Sequence, residues 1–247
     1  MQLPKIKPYT KKLDYSYCFG AYPVQDLFKF HKESVLKVIL HSQGETSDGV
    51  AEIIEQCKAN NVPYEVNDRS ISKIAAKDNT YVVGVFNKYS SSLNSNENHI
   101  VLDQARNMGN IGTIIRTMVG FGYKNLALIR PSADIFDPKV VRSAMGGLFA
   151  INFEYFDSIH DYLAKYGKAG GNNRSLYNFM LEGATEIRKI QFKAPFSLVL
   201  GNESQGLGEE YKTLGEGIFI EHSKEIDSLN LSIAAAIAMW HTQNSSK

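Results

Sequence analysis

A chain of 247 residues, of which 43% are hydrophobic, is long enough to bury one large core or two modest ones. No apolar run reaches the roughly 18 residues that a membrane span needs, and no apolar stretch follows the basic N-terminus, so neither a membrane span nor a secretory signal is expected. The net charge of +1 excludes a uniformly basic surface, so a polyanionic partner would have to bind local clusters of cations.

The first residues are basic and are interrupted by two prolines. Four lysines lie in this segment: Lys5, Lys7, Lys11 and Lys12. We predict a mobile arm here, because nothing in its composition indicates a core. A solvated tail and a segment that contacts phosphates are both consistent with it.

Residues 1–90 alternate between patterns typical of helices and of strands. Helices are predicted at 22–31, 49–60 and 71–76, and strands at 35–40, 62–66 and 81–86. This alternation predicts a small α/β domain. Its two cysteines, Cys18 and Cys57, lie far apart in the sequence and indicate free thiols in a cytoplasmic protein.

Residues 87–98, NKYSSSLNSNEN, differ in character from the segments on either side. Serine and asparagine dominate and hydrophobic residues nearly vanish, so the segment forms no core of its own. We therefore predict a first domain at 1–90 with a basic N-terminal arm, a linker at 91–98 and a second domain at 99–247.

The second domain continues the alternation of strands and helices. Strands are predicted at 99–103, 125–129, 149–153, 197–200 and 218–220, and helices at 111–121, 138–145, 159–166 and in the Ala-rich C-terminal stretch. Residues 176–181 are too mixed to assign. Ligands of open α/β sheets bind in loops at the carboxyl ends of strands, so 201–206 and 223–230 are predicted to be walls of one pocket.

A polar turn between the strand at 99–103 and the following helix carries the first cluster of candidate residues. Asn110 is predicted to be the N-cap of that helix. Its spacing to Arg116, six residues later on successive turns, would allow both to face one site. The glycines of the turn do not follow the spacing of a dinucleotide fold or of a P-loop. Taken alone, Arg116 is more simply a surface arginine.

Two further clusters lie in the loops near the C-terminus. In Gly201-Asn202-Glu203-Ser204-Gln205-Gly206, the glycines allow backbone to approach a ligand and Glu203 supplies a carboxylate. In Ser228-Leu229-Asn230-Leu231-Ser232, either Ser228 or Asn230 could cap the last helix, and such a cap can coexist with a function.

The three clusters together resemble motifs of the SpoU-TrmH branch of the SPOUT RNA methyltransferases. Asn107-x-Gly109-Asn110-x-Gly112-x-x-x-Arg116 resembles the first motif, Leu200-Gly201-Asn202-Glu203-x-x-Gly206-Leu207 the second and Ser228-Leu229-Asn230-Leu231-Ser232 the third. Residues 138–147 resemble a family segment between the first two. The N-terminal domain, with Gly20-Ala21-Tyr22-Pro23-Val24, is similar to the L30e-like substrate-binding domain of many members.

The resemblance implies an α/β fold with a deep trefoil knot, a homodimer and S-adenosylmethionine as the methyl donor. It also implies 2'-O-methylation of a ribose in RNA, with ribosomal RNA favoured by the appended N-terminal domain, and it implies neither a metal nor a membrane partner. The implied catalytic residues are Asn110, Arg116, Glu203, Ser228 and Asn230. The implied cofactor-binding residues, acting mainly through their backbone, are Leu200, Gly201, Ile220 and Leu229.

One segment departs from the family pattern. Ahead of the third motif, Ile220-Glu221-His222 stands where the family usually has Ile-Pro-Met, and Lys224 stands at a glycine position. The departure bears on cofactor affinity and supports one alternative, a non-catalytic RNA-binding or ribosome-assembly protein on the same fold. A transfer-RNA methyltransferase is another alternative, and an enzyme with a different nucleotide cofactor is a remote one.

Overall fold

The computed structural model describes residues 4–44, 48–75 and 80–244, and these residues form two compact units. The first unit contains residues up to Tyr89 together with the segment 134–150. The second contains Ser90–Ala133 and the residues from Ile151 onward. Thus 134–150, which the sequence pattern assigns to the second domain, groups with the first unit.

The first unit is built on a four-stranded mixed sheet. Its elements from the N-terminal part of the chain are β1 (Tyr15–Phe19), α1 (Ala21–His31), β2 (Val35–Leu40), α2 (Asp48–Ala59), β3 (Tyr64–Val66), α3 (Asp68–Ile74) and β4 (Val82–Asn87). The strand order is β1-β4-β2-β3, and only β2 and β3 pair in parallel. The prediction for β2 is confirmed with the same bounds. β1 was not predicted, and the final residue of the helix predicted at 71–76 lies outside the described residues.

Residues 5–13 are fixed to the sheet, contrary to the prediction of a mobile arm. The hydroxyls of Tyr15 and Tyr17 on β1 donate to the carbonyl oxygens of Lys5 and Lys7, both at 2.7 Å. Ile6, Tyr9 and Leu13 pack against the same face of the sheet. The sequence pattern did not reveal this because the partners are tyrosine hydroxyls ten residues away rather than another strand.

The second unit contains a seven-stranded sheet in which every pairing is parallel. Its elements are β5 (His99–Asp103), α4 (Met108–Gly120), β6 (Asn125–Ile129), β7 (Asn152–Phe156), α6 (Ile159–Tyr166), β8 (Ser175–Phe179), β9 (Thr185–Glu186), β10 (Phe196–Leu200), α7 (Tyr211–Leu214), β11 (Glu216–Phe219) and α8 (Leu231–Asn244), with α5 (Pro138–Ala144) lying in the segment that joins the first unit. The strand order is β7-β6-β5-β10-β8-β11-β9.

The predictions for β5, β6 and α6 are confirmed with the same bounds. The strand predicted at 149–153 instead begins at Asn152, because Phe149 lies in a 3-10 turn at Gly147–Ala150, where its side chain is buried. Residues 175–179, most of which the sequence pattern leaves unassigned, form β8 between β10 and β11.

The Ser- and Asn-rich segment before β5 is held to the second unit by many hydrogen bonds. Leu93 is buried in the core of that unit, which contradicts the expectation that the segment contributes nothing to a core. Ser91 bonds to both backbone groups of Phe153, and the amide of Asn94 donates to Asn125 (2.8 Å). Short polar side chains of this kind satisfy nearby backbone groups, and here they join the segment to the second unit.

Candidate functional site

A cavity of about 590 Å³ lies at the carboxyl ends of β8, β10 and β11. Four segments line most of it: 179–182, 200–207, 218–220 and 227–231. All seven strands are parallel, so their carboxyl ends share one edge of the sheet, where ligands of α/β folds bind. The volume is within the range of small-molecule sites. Both loops that were predicted to be pocket walls contribute residues to this cavity.

The four residues that the family resemblance assigns to cofactor binding all line the cavity: Leu200, Gly201, Ile220 and Leu229. Three of the five candidate catalytic residues also line it: Glu203, Ser228 and Asn230. Ser228 is exposed, and within the described residues its side chain makes no hydrogen bond to protein. Asn110 and Arg116 do not line the cavity.

The loop after β10 is a tight turn whose shape depends on two glycines and one asparagine. A Cβ at Gly201 would lie 2.1 Å from the carbonyl carbon of Gly206, so only glycine fits there. Asn202 bridges to Gly206, and its side-chain oxygen accepts from the amides of Ser204 (2.9 Å) and Gln205 (2.8 Å). Asn202 was not among the predicted site residues. Its position at the start of this turn is the signal that points to it, because asparagine commonly bonds its own backbone there.

α4 brings Asn110 to the loop after β10. The helix begins earlier than predicted, and Asn107 is its N-cap, accepting from the amide of Asn110 (3.1 Å). The prediction that Asn110 is the cap was therefore wrong, because an equally suitable asparagine lies three residues earlier. Asn110 is instead inside the first turn, 9% exposed, and its Nδ2 donates to Glu203 Oε1 at 2.9 Å.

Asn230 caps α8 and also joins this contact. Its Oδ1 accepts from the amide (2.9 Å) and the hydroxyl (2.7 Å) of Ser232, and its Nδ2 donates to Asn110 Oδ1 at 3.2 Å. A chain of hydrogen bonds therefore runs from Ser232 through Asn230 and Asn110 to Glu203. This chain of hydrogen bonds joins the first cluster to the second across 93 residues of sequence and to the third across 120 residues.

Arg116 lies away from this chain of hydrogen bonds. Six residues along a helix correspond to about 240° of rotation, so Arg116 and Asn110 lie on different faces of α4. Arg116 is exposed, and in the described part of the chain it makes no ion pair or hydrogen bond. The expectation that both residues face one site is therefore not met within one chain. Glu203 contacts Asn110 rather than Arg116.

Carboxylates outnumber cations around the cavity. Its lining includes four carboxylates: Glu182, Glu203, Glu209 and Asp227. Among the described residues that line it, Lys212 is the only lysine or arginine. Lys212 pairs with Glu182 (2.7 Å) and Glu209 (2.8 Å), and both contacts raise the pKa of Lys212. The lining therefore favours a ligand that carries positive charge.

The segment that departs from the family pattern is ordered by side-chain contacts. Glu221 pairs with Arg188, and the Nδ1 of His222 donates to the carbonyl oxygen of Ile220 at 2.8 Å. A carbonyl can only accept, so this bond fixes a proton of His222 on Nδ1. Lys224 is not among the described residues with a left-handed φ, so the replacement of glycine there strains no backbone.

No metal site or membrane span is found in the part of the chain that the structure describes. Its histidine, cysteine, aspartate and glutamate side chains form no group of three or more that would hold a metal ion. None of the described helices has both the length and the hydrophobicity of a span.

Comparison with known proteins places these features in a family. A sequence profile of the SpoU rRNA Methylase family matches residues 97–240, more than half of the chain. A 23S rRNA (uridine-2'-O)-methyltransferase of Streptomyces viridochromogenes is 30% identical over 145 residues, covering 57% of this chain and 50% of that protein. A 23S rRNA (guanosine-2'-O-)-methyltransferase of Acinetobacter baylyi is 24% identical over 237 residues, covering 91% of this chain and 95% of that protein.

Solved structures agree with this. The chain resembles an AdoMet-bound rRNA methyltransferase from Sinorhizobium meliloti, with a TM-score of 0.79, 27% identity and coverage of 94% of this chain and 87% of that one. The chain spans only about half the length of several curated relatives that it matches.

Proposed function

The chain belongs to the SpoU rRNA methylase family, and from that premise we propose that it transfers a methyl group from S-adenosylmethionine to a ribose 2'-hydroxyl of RNA. Ribosomal RNA is the substrate we favour, and the cytoplasm is the compartment. The observation that carries the proposal is the hydrogen-bond chain from Ser232 to Glu203, which joins the three motifs beside the cavity.

The cavity suits S-adenosylmethionine in size and charge. Its volume of about 590 Å³ fits a ligand of this size. The donor is a sulfonium cation, which the excess of carboxylates would favour. Gly201 has no side chain, and backbone at Leu200, Gly201, Ile220 and Leu229 would hold the adenosine and methionine parts. When bound, the donor supplies a methyl group that is already activated.

The protein's task is then to orient the ribose hydroxyl and to manage its proton. We assign Asn110, Ser228 and Asn230 to orienting the ribose and the cofactor loop, with Glu203 positioning Asn110. Arg116 would bind an RNA phosphate and stabilise the negative charge that develops on the ribose oxygen. A free guanidinium, with a pKa above roughly 12, is a poor base at neutral pH.

A homodimer is part of the proposal, because it gives Arg116 a site to act in. Arg116 shares an exposed face of α4 with Val119, which is 41% exposed, and α4 packs against α8. Residues 233–240 of α8 are apolar on all sides, and Ile233 and Trp240 among them are 51% and 56% exposed. Helices that are apolar all round are normally covered. A second copy on this surface would bring Arg116 towards the partner's cavity.

Two finer features of the fold are also proposed. β10 inserts between β5 and β8 although it follows β8 in the chain, a strand order compatible with the trefoil knot of SPOUT enzymes. The first unit, with its small mixed sheet and flanking helices, is compatible with an L30e-like substrate-binding domain.

Calorimetry with S-adenosylmethionine tests the proposal first. A non-catalytic RNA-binding protein is the second candidate, favoured by the departure at Glu221, His222 and Lys224. Binding of the donor together with incorporation of labelled methyl into RNA would reject it.

Mapping 2'-O-methyl sites in a deletion strain would then separate ribosomal from transfer RNA. A protein that sediments as a monomer and methylates RNA at the full rate would reject the dimer.

A further inference from the structure

One face of the sheet in the first unit is covered by residues 4–14 and α3, and the exposed charges on this cover are mostly positive. Six cations project from it: Lys5, Lys7, Lys11, Lys12, Arg69 and Lys73. We refer to these six residues and the segments that carry them as the basic face. Ile6, Leu13, Ile71 and Ile74 on the same segments pack inward against one hydrophobic cluster.

Three lysines of the basic face are held in place by contacts of their backbone carbonyl oxygens. Lys5 and Lys7 each accept a hydrogen bond at 2.7 Å from a β1 tyrosine, and Lys11 accepts one from Lys88 Nζ at 3.0 Å. Tyr9 donates to Asp134 Oδ2 at 2.5 Å. Every second residue from 5 to 11 is thus anchored, and the lysine side chains remain exposed. A ligand that binds them would not have to order this backbone.

None of the six cations forms an ion pair within the described ranges, unlike other cations of the same unit. Lys37 pairs with Glu65 (2.7 Å), Lys58 with Glu55 (2.8 Å) and Lys88 with Asp134 (3.4 Å). Residues 4–14 and 68–75 hold these six cations against two carboxylates, a balance of +4. The whole chain carries +1, so the remaining residues sum to −3. The positive charge is therefore concentrated on this face.

The basic face offers charge without aromatic stacking surfaces. Its tyrosines are turned towards the protein: Tyr15 and Tyr17 are 8% and 0% exposed, and Tyr9 is half-buried with its hydroxyl on Asp134. Proteins that read unpaired bases stack them on exposed aromatic rings, whereas phosphates need only cations and other donors.

We propose that the basic face binds the sugar-phosphate backbone of the RNA substrate, independently of its sequence. The inference rests on the proposed function and names the surface that holds the RNA outside the cavity. Its cations would release counterions on binding, so the affinity for RNA depends on salt through these residues.

The test is the salt dependence of RNA binding. The probe is a fluorescently labelled 30-nucleotide poly(U), and anisotropy gives the dissociation constant over a series of KCl concentrations. One variant carries Lys5→Gln, Lys7→Gln, Lys11→Gln and Lys12→Gln, and another carries Arg69→Gln and Lys73→Gln. For each phosphate that a variant no longer neutralises, the slope of log K against log salt should flatten by about 0.7.

The matched control removes two exposed cations from the second unit. Lys168 and Lys193 make no ion pair in the described residues, and Lys168→Gln with Lys193→Gln changes the net charge as the α3 variant does. The control should keep the wild-type slope. Equal slopes for the wild type and both basic-face variants would overturn the proposal, as would equal flattening in the control.

A second pair of substitutions tests the anchoring. Tyr15→Phe with Tyr17→Phe keeps all six cations but removes the hydroxyls that hold Lys5 and Lys7. We expect an affinity several-fold weaker at fixed salt, with the slope and the far-UV circular dichroism unchanged. Unchanged affinity would show that the anchored backbone contributes nothing to binding.

Two measurements separate this proposal from its premise and from another ligand. Titration with S-adenosylmethionine should be unaffected by the basic-face variants. A wild type that fails to bind the donor but shows the expected slopes would reject the proposed function and keep the basic face. Binding to vesicles of phosphatidylserine as tight as binding to poly(U) would overturn the assignment to RNA.

Discussion

The orientation of two side-chain amides is determined at both ends of the hydrogen-bond chain. The backbone amide of Ser232 can only donate, so it requires Oδ1 of Asn230 and directs Nδ2 towards Asn110. At the other end, the carboxylate of Glu203 can only accept and requires Nδ2 of Asn110. Both ends demand the same orientation of the two amides, so neither can flip without losing a hydrogen bond.

Replacing Asn230 by Asp tests this arrangement. Aspartate is an equally good N-cap, so the thermal stability of Asn230→Asp should stay close to that of the wild type. The aspartate carboxylate places an acceptor oxygen against Asn110 Oδ1, where the wild type has a donor. If the Asn110 amide flipped to relieve this repulsion, its Oδ1 would instead face the carboxylate of Glu203. We expect single-turnover methyl transfer to fall by about 10- to 100-fold, equivalent to about 1.4 to 2.7 kcal/mol.

Asn230→Ser is the control, because it also caps the helix but brings no second acceptor. It should fall between the wild type and Asn230→Asp in rate. An Asn230→Asp variant with the wild-type rate would mean that the chain of hydrogen bonds has no part in the reaction.

Arg116 is expected to act on RNA rather than on the cofactor. Arg116→Lys keeps the charge but loses the planar, forked donors, so methyl transfer should fall at least about 10-fold while the dissociation constant of S-adenosylmethionine is unchanged. Arg130→Lys is the control, since Arg130 is also exposed and pairs with Asp157 at 3.1 Å. Similar rates for the two variants would remove Arg116 from the site.

At the scale of elements, the start of β5 and the segment before it share a buried polar cluster. Arg174 is 3% exposed and donates to the carbonyl oxygens of Ser95, Glu97 and Phe196 at 2.7 to 2.8 Å. His99 Nε2 donates to the carbonyl oxygen of Asn94 (2.8 Å), so its Nδ1 accepts from the hydroxyl of Tyr162 (2.8 Å). These contacts make the predicted linker a part of the second unit.

This cluster should make the second unit sensitive to acid. Burial, with the nearby charge of Arg174, lowers the pKa of His99 from 6.5 to about 3. Between these values the unfolded chain binds a proton that the folded protein excludes. His99 should therefore reduce the free energy of unfolding as the pH falls below about 6.5, by at most about 1.4 kcal/mol per pH unit.

Urea denaturation between pH 4 and 7.5 measures this. His99→Gln should be less stable at pH 7 but lose less stability on acidification than the wild type. His160→Gln is the control, because His160 is at the surface with 65% of its side chain exposed. A His99→Gln variant with the wild-type pH dependence would assign the acid sensitivity to other groups.

Elements with a strong local pattern could be predicted from the sequence, and elements defined by their neighbours could not. β5, β6 and α6 have clear periodicity and were predicted with the correct bounds. β8 mixes polar and apolar residues, with Ser175 and Asn178 on either side of Leu176 and Tyr177. Its place inside the sheet depends on β10 and β11, which come later in the chain. The candidate site shows the same difference. Its motifs could be recognised from the sequence, but the contact of Asn110 with Glu203, 93 residues apart, could be seen only in the folded chain.

At the scale of the whole molecule, the chain leaves the second unit after Ala133, contributes α5 to the first unit and returns at Ile151. Within the first unit, Phe136 and Phe149 lie against Phe86, and Ser16 donates to the carbonyl oxygen of Phe136 at 2.5 Å. The sequence predicts two domains that follow one another along the chain, with one connection between them. The chain instead passes between the two units twice more, at the two ends of 134–150.

A fragment of residues 90–247 should consequently be prone to aggregation. It retains 134–150 but lacks the rest of the first unit, in which Val140, Val141, Leu148 and Phe149 are buried. We expect light scattering to find large aggregates, and a second fragment with a short Gly/Ser linker in place of 134–150 to be monodisperse and to bind S-adenosylmethionine. A monodisperse, stable first fragment would show that 134–150 needs no partner.

The same insertion determines when the first unit can be completed during translation. β1 to β4 emerge from the ribosome first, but the residues that cover one side of them follow only after the 61 residues from 90 to 150 have been made. At roughly 5 to 20 residues per second, this delay is about 3 to 12 seconds. N-terminal domains usually fold while the rest of the chain is being made, but this one must wait with apolar surface uncovered until β5, α4 and β6 of the other unit have been synthesised.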